Sequence, residues 1–120
     1  MDDELNISVF EITGDSHCVT SSAGQKVYDR LALALRNKRN VTLSFCNVTV
    51  LTPVFLNTAI GQLYGKFDRE QIRSMLKVRD FPPDDLALLK RVVDNATQYF
   101  SGLRKFPRTE GEDSKRETSN

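Results

Sequence analysis

Residues 41–67 run VTLSFCNVTVLTPVFLNTAIGQLYGKF, and the parsing of this stretch decides the fold. Val41, Leu43, Phe45, Val48 and Val50 make its first half a β-rich run, whereas Leu56, Ala59, Ile60, Leu63, Tyr64 and Phe67 recur at the spacing of one helix face. A buried strand feeding a buried helix is therefore expected, with Thr52-Pro53 at the junction. Pro is tolerated at the first helical position because that N–H has no intrahelical partner, and a Thr just before it can accept from the next free amides. Thr52 is thus the expected N-cap, a role that Ser or Asp would fill equally, and Pro53 the first helical residue. Leu56, Ile60, Leu63 and Phe67 should pack into the core, opposite Gln62 and Lys66. Ligands and partners of open α/β sheets engage where strands end and helices begin, so the candidate partner-binding residues are Asn47, Thr49, Thr52, Pro53, Val54 and Asn57.

Upstream, Leu5 to Ile12 reads as one short strand closed by a turn at Thr13-Gly14-Asp15. A polar loop holding His17 and Cys18 follows, and Ser21 or Ser22 can cap a helix over about 22–37. Val27, Leu31, Ala34 and Leu35 share one face of that helix, and its cationic end, Asn37-Lys38-Arg39-Asn40, suits the helix dipole. A helix between two β-runs is the pattern of a βαβ crossover, which implies parallel pairing. Downstream, Asp68 can cap a short helix over Arg69 to Met75, and Leu76 to Phe81 alternates like a half-exposed strand near a sheet edge. Pro82-Pro83 forces a break. Asp84 or Asp85 then caps a last helix with Leu86, Leu89, Val92, Val93, Ala96, Tyr99 and Phe100 as its buried stripe. The order describes a small single-domain α/β fold over residues 1–102, a few-stranded mixed sheet with helices packed against it. Residues 103–120 form a polar tail, expected to be disordered.

A chain of 120 residues can bury one core without disulfides or metals. Its 17 basic and 16 acidic residues leave a net charge of +1, which gives no overall footprint for nucleic acid or an anionic membrane. Cys18 and Cys46 lack a Cys-x-x-Cys partner and His17 is the single histidine, a pattern of reduced thiols rather than of a disulfide framework or zinc site. No metal and no cofactor is expected. The first residues, MDDELN, are acidic, and no apolar run approaches the roughly 20 residues of a membrane span, so the expected setting is the cytoplasm.

The run Leu43-Ser44-Phe45-Cys46-Asn47-Val48-Thr49-Val50-Leu51-Thr52-Pro53-Val54-Phe55-Leu56-Asn57, with Ala59-Ile60-Gly61 and Leu63-Tyr64-Gly65 after it, resembles the STAS-like domain family of bacterial proteins of unknown function. That family looks like a distant branch of the anti-sigma-factor antagonists, and the looser likeness extends from about Ser8 to Phe100. The resemblance implies a STAS-like fold and a non-catalytic regulatory module that docks on a protein partner, such as a histidine-kinase-like ATPase. It also implies a switch by phosphorylation at the start of the second helix. Aligned on the strand-to-helix transition, Thr52 stands where the antagonists usually have Asp, Val54 where they have the phosphoacceptor Ser, and Ser44 where Asp is common. Val54 cannot be phosphorylated. Among Thr49, Thr52 and Thr58, Thr52 alone lies at the free amides of the helix, which makes it the candidate phosphoacceptor, although capping by itself explains a Thr there.

Two other classes of function have weaker support in the residues. A nucleic-acid-binding accessory protein would use the basic corner near Arg36, Lys38 and Arg39, yet no exposed aromatics interleave it and a solvated helix end is the simpler reading. A small hydrolase would need His17 beside Cys18 or Cys46. A lone His in a polar loop is more often surface, and Cys46 in an apolar run reads as a small core residue. Asp84-Asp85 read as helix caps. Gly61 and Gly65 read as packing or helix-ending positions, since no phosphate-loop pattern follows a strand.

Overall fold

The structure, a computed structural model, describes residues 4–105. The elements run β1 (Leu5–Ser8), α1 (Val9–Thr13), β2 (His17–Cys18), α2 (Ser21–Arg36), β3 (Val41–Ser44) and β4 (Val50–Leu51). They continue with α3 (Pro53–Ala59), a 3-10 turn (Gly61–Gly65), α4 (Arg69–Met75), β5 (Leu76–Arg79), a second 3-10 turn (Pro83–Asp85) and α5 (Leu86–Lys105). The tail expected from residue 103 falls outside the described residues, apart from the stretch to Lys105 that completes α5.

The fold is the expected small α/β one, with two corrections to its sheet. The strands form two parallel sheets, β1-β3-β5 and β2-β4, where one mixed sheet was anticipated. The β-rich run from Val41 to Val50 is split between them. Ser44 Oγ accepts from the Cys46 amide at 3.2 Å, the Val48 amide returns to the Phe45 carbonyl at 3.0 Å, and Asn47 takes a left-handed backbone, φ 71°. Asn tolerates that conformation better than most residues, so the chain reverses before it enters β4. A similar local choice divides the expected first strand. Ser8 caps α1 by accepting from the Glu11 amide at 3.1 Å, and Gly14, φ 72°, ends it.

The long crossover α2 forms as the spacing predicts, but its N-cap is Thr20, whose hydroxyl accepts from the Ala23 amide at 3.1 Å, rather than Ser21 or Ser22. The helix after Thr52 is shorter than its apolar spacing suggested. It ends at Ala59 and passes into the 3-10 turn. Leu56, Ile60 and Leu63 are nonetheless buried, while Phe67 is half-buried. Helix α4 appears with the predicted bounds, although Asp68 makes no side-chain cap, and β5 takes the predicted edge position but ends at Arg79, two residues before Phe81. Asp84 and Asp85 likewise make none, lying in the 3-10 turn before α5. The α5 stripe is partly covered: Val92 is buried, Leu89, Val93, Ala96 and Phe100 are half-buried, and Leu86 and Tyr99 are 52% and 63% exposed. The helix leans on α3 and the first 3-10 turn, not on the sheet, and so has a narrow contact.

Alternation along the main sheet sorts its faces. Leu5, Ile7, Val41, Leu43, Leu76 and Val78 are in register on the side that meets the helices, with Ile7, Val41 and Leu43 buried. Asn6, Thr42 and Lys77 share the other side, which is open to solvent at Asn6 and Lys77. Parallel sheets are ordinarily covered on both faces. Here one face is polar instead, and its buried member, Thr42, donates to the Glu4 carboxylate at 2.6 Å. Phe45, at the end of β3, closes the core edge-on against Phe81, centroids 4.7 Å apart. Gly24 of α2 lies close against the backbone of α3, with no room for a Cβ between them.

Candidate functional site

The small β2-β4 sheet positions the strand-to-helix turn. Cys18 and Leu51 pair in register and face the core, while His17 and Val50 pair on the outer side, so Val19, the residue after β2, lies beside Thr52. Thr49 ties the entry to β4, its amide donating to the Ser16 carbonyl at 2.9 Å and its hydroxyl reaching the same oxygen at 3.5 Å. Thr52 then caps α3 as expected, its hydroxyl oxygen accepting from the Phe55 amide at 3.2 Å. The same hydroxyl donates to the Val19 carbonyl at 2.9 Å. Asp could supply the acceptor but not this donor, so Ser and Asp are not equivalent replacements. Pro53 occupies the first turn of α3, as the sequence indicated.

The turn presents an apolar surface. Val54 is 52% exposed, Val50 40% and Val19 38%, with the exposed Pro53 among them. Of the six residues expected to contact a partner, Thr49, Thr52, Pro53 and Val54 sit together here. Asn47 and Asn57 are exposed but face elsewhere. Asn47 lines a polar cavity of about 370 Å³ at the carboxyl ends of the main-sheet strands, with Ser8, Ser44 and Arg79. Asn57 lines an apolar one of about 250 Å³ between the first 3-10 turn and α5, with Ala96 and Tyr99. Val19 was missed in the sequence because a two-residue strand carries no readable period.

The two cysteines are placed opposite to expectation. Cys46 is exposed in the turn after β3, whereas Cys18 is fully buried. Burial pushes the Cys18 thiol above its ordinary pKa, the nearby Asp15 carboxylate adds to the rise, and a hydrogen bond with Thr13 offsets part of it. His17 and Cys18, as neighbours in a strand, point to opposite sides of it, with His17 exposed. Among the described residues no group of three or more His, Cys, Asp or Glu side chains could hold a metal, and no helix is long and apolar enough to cross a membrane. In the basic corner, Lys38 takes a left-handed backbone, φ 58°, as the chain leaves α2 for β3.

Comparison with curated proteins and with solved structures finds no match. A family model, described as a STAS-like domain of unknown function (DUF4325), matches residues 23–86, a span that runs from α2 through β3, the Thr52 turn, α3, α4 and β5. That is more than half of the sequence and includes the strand-turn-helix stretch on which the fold turns, so the chain belongs to the family of STAS-like domains of unknown function.

Proposed function

We propose that this chain is a non-catalytic regulatory module of the cytoplasm that docks on a protein partner through the turn at Thr52. The observation that carries the reading is the exposure of Val19, Val50 and Val54 around a turn whose two threonine hydroxyls are already paired. An exposed apolar patch whose neighbouring threonine hydroxyls are already hydrogen-bonded within the fold suits burial against another protein, because those hydroxyls keep their partners when water leaves. The Thr52 hydroxyl both donates and accepts within the fold, which favours a structural cap over a phosphoacceptor. The module on this reading binds constitutively. A histidine-kinase-like ATPase is the partner class suggested by likeness to the anti-sigma-factor antagonists.

The test is affinity capture from the native host with the parent chain and with Val54→Asp, followed by titration of the captured protein in purified form. Val54 is exposed, so the substitution leaves folding intact while placing an unpaired charge in the interface. A partner held by the parent and released by at least about tenfold in Val54→Asp supports the reading. Equal affinity for both chains refutes it.

A further inference from the structure

A second surface lies away from the Thr52 turn and shares no residue with it. Strand β1 is one edge of the three-stranded sheet, and among the described residues no strand lies beyond it. The Leu5 amide donates to the Asn40 carbonyl at 2.7 Å, towards β3. In a parallel ladder successive residues turn their amides to alternate sides, so Asn6 directs its N–H and C=O outward. Beside this edge runs a groove of about 150 Å³, with Leu5, Asn6 and Ile7 on one wall and Arg30 and Leu33 of α2, with its C-cap Asn37, on the other. Three consecutive strand residues can line one groove only if it follows the strand edge, since alternate side chains point to opposite faces.

Edge strands are usually blunted by charge or proline. The other edge, β5, carries Lys77 and Arg79, but the four residues of β1 are Leu, Asn, Ile and Ser. The α2 wall adds a large exposed apolar group, Leu33, at 53%. A space of this volume accommodates a benzene-sized group. The charged side chains lining the groove, Arg30 and Arg39, are both cationic. We propose that the free edge of β1 and the Leu33 side of α2 form a second docking groove, which takes an extended acidic peptide segment of a partner protein as an added strand. The outward amide and carbonyl pair with its backbone, an apolar side chain rests on Leu33, and a flanking carboxylate meets Arg30. Nucleic acid would use the cations but neither the strand edge nor Leu33, which is why a peptide is the better fit.

The test selects random short peptides by display on the intact chain and then measures one enriched peptide by fluorescence anisotropy. Enrichment of sequences alternating Asp or Glu with Leu, Ile or Val is expected. Leu33→Glu and Arg30→Glu should each weaken binding by about tenfold or more. Asn6→Pro should abolish it, and Val54→Asp should leave it unchanged, which separates this groove from the turn. Pro is accepted on an edge strand where the N–H faces away from the ladder, and Leu33 and Arg30 are solvent-facing, so these variants fold; unaltered circular dichroism checks this. Failure to enrich any peptide, or equal binding to all four variants, overturns the proposal. So does a short DNA duplex that binds with the same variant dependence, or a dimer of the chain alone that Asn6→Pro dissociates.

Discussion

Replacing Gly24 by Ala should separate the two helices that hold the candidate site. A Cβ built at this position lies 2.7 Å from the Phe55 carbonyl oxygen and 2.9 Å from Thr58 Cβ, with the Ala59 amide nitrogen at 3.3 Å. Two of these three atoms are α3 backbone, so no side-chain rotation relieves the clash. Overpacking of this kind destabilises by about 1–3 kcal/mol. Against it stands the gain of about 0.5–1 kcal/mol from putting Ala in place of Gly within a helix. Because backbone must move, the clash belongs in the upper part of its range, and the net loss is about 1–2 kcal/mol. For a domain of this size that lowers the melting temperature by about 5–15 °C. Differential scanning calorimetry of the purified variant is the assay. A melting temperature equal to or above the parent's would mean that helix propensity alone governs Gly24 and that α2 and α3 are not in backbone contact. Since α3 begins at the Thr52 cap, the same variant should also loosen the turn, seen as faster amide exchange at Phe55.

Other perturbations separate the remaining contributions. Leu63→Ala empties a fully buried position and should cost about 2–5 kcal/mol in denaturant melts; an unchanged midpoint would contradict its burial. Thr52→Ser should retain most stability, whereas Thr52→Ala should lose about 0.5–2 kcal/mol. Thr52→Asp should fall below Thr52→Ser because its carboxylate would face the Val19 carbonyl; equal stability of Ser and Asp variants would show that the donor bond is unimportant. Burial raises the Cys18 pKa in the folded chain, so above the ordinary value of 9.0 the unfolded chain holds fewer protons than the native one and stability falls as pH rises. That contribution is complete below pH 9, and a Cys18→Ala variant should show a shallower alkaline decline in chemical melts. Above the ordinary value of 10.0, Tyr64 and Tyr28, also raised chiefly by burial, steepen the fall in both chains.

What the sequence made legible were features decided within a few residues. Thr52-Pro53 is a cap and first turn by its own chemistry, α2 carries four apolar residues in helical phase, and β5 alternates visibly before two prolines. Elements decided by a competition were not legible. Val9 to Ile12 suits a strand as well as a helix until the Ser8 hydroxyl captures the Glu11 amide. The run through Phe45 and Val48 looks continuous until Ser44 and the left-handed Asn47 turn it. Burial along α5 depends on which neighbour it meets, and periodicity carries no information on that. In the candidate site, Thr49, Thr52, Pro53 and Val54 were found because they are adjacent in the chain. Val19 joins them through a pairing that only the tertiary fold creates.

The wholly parallel pairing has a kinetic consequence. No hairpin joins two adjacent strands among the described residues; the ladders connect Leu5 with Val41, Val41 with Leu76, and His17 with Val50. Each must close a loop of several tens of residues before its first hydrogen bond forms, and the entropy of that closure is spent before any burial offsets it. Helix α2 can form on local contacts alone, whereas β3, paired on both sides, can be completed only after both crossovers have docked. Folding should therefore be slower than for a helical bundle of the same length, with the strands joining late. Until they join, the apolar faces of β1 and β3 are exposed together, and it is this interval, rather than the native fold, that most limits how concentrated a refolding solution can be before chains associate.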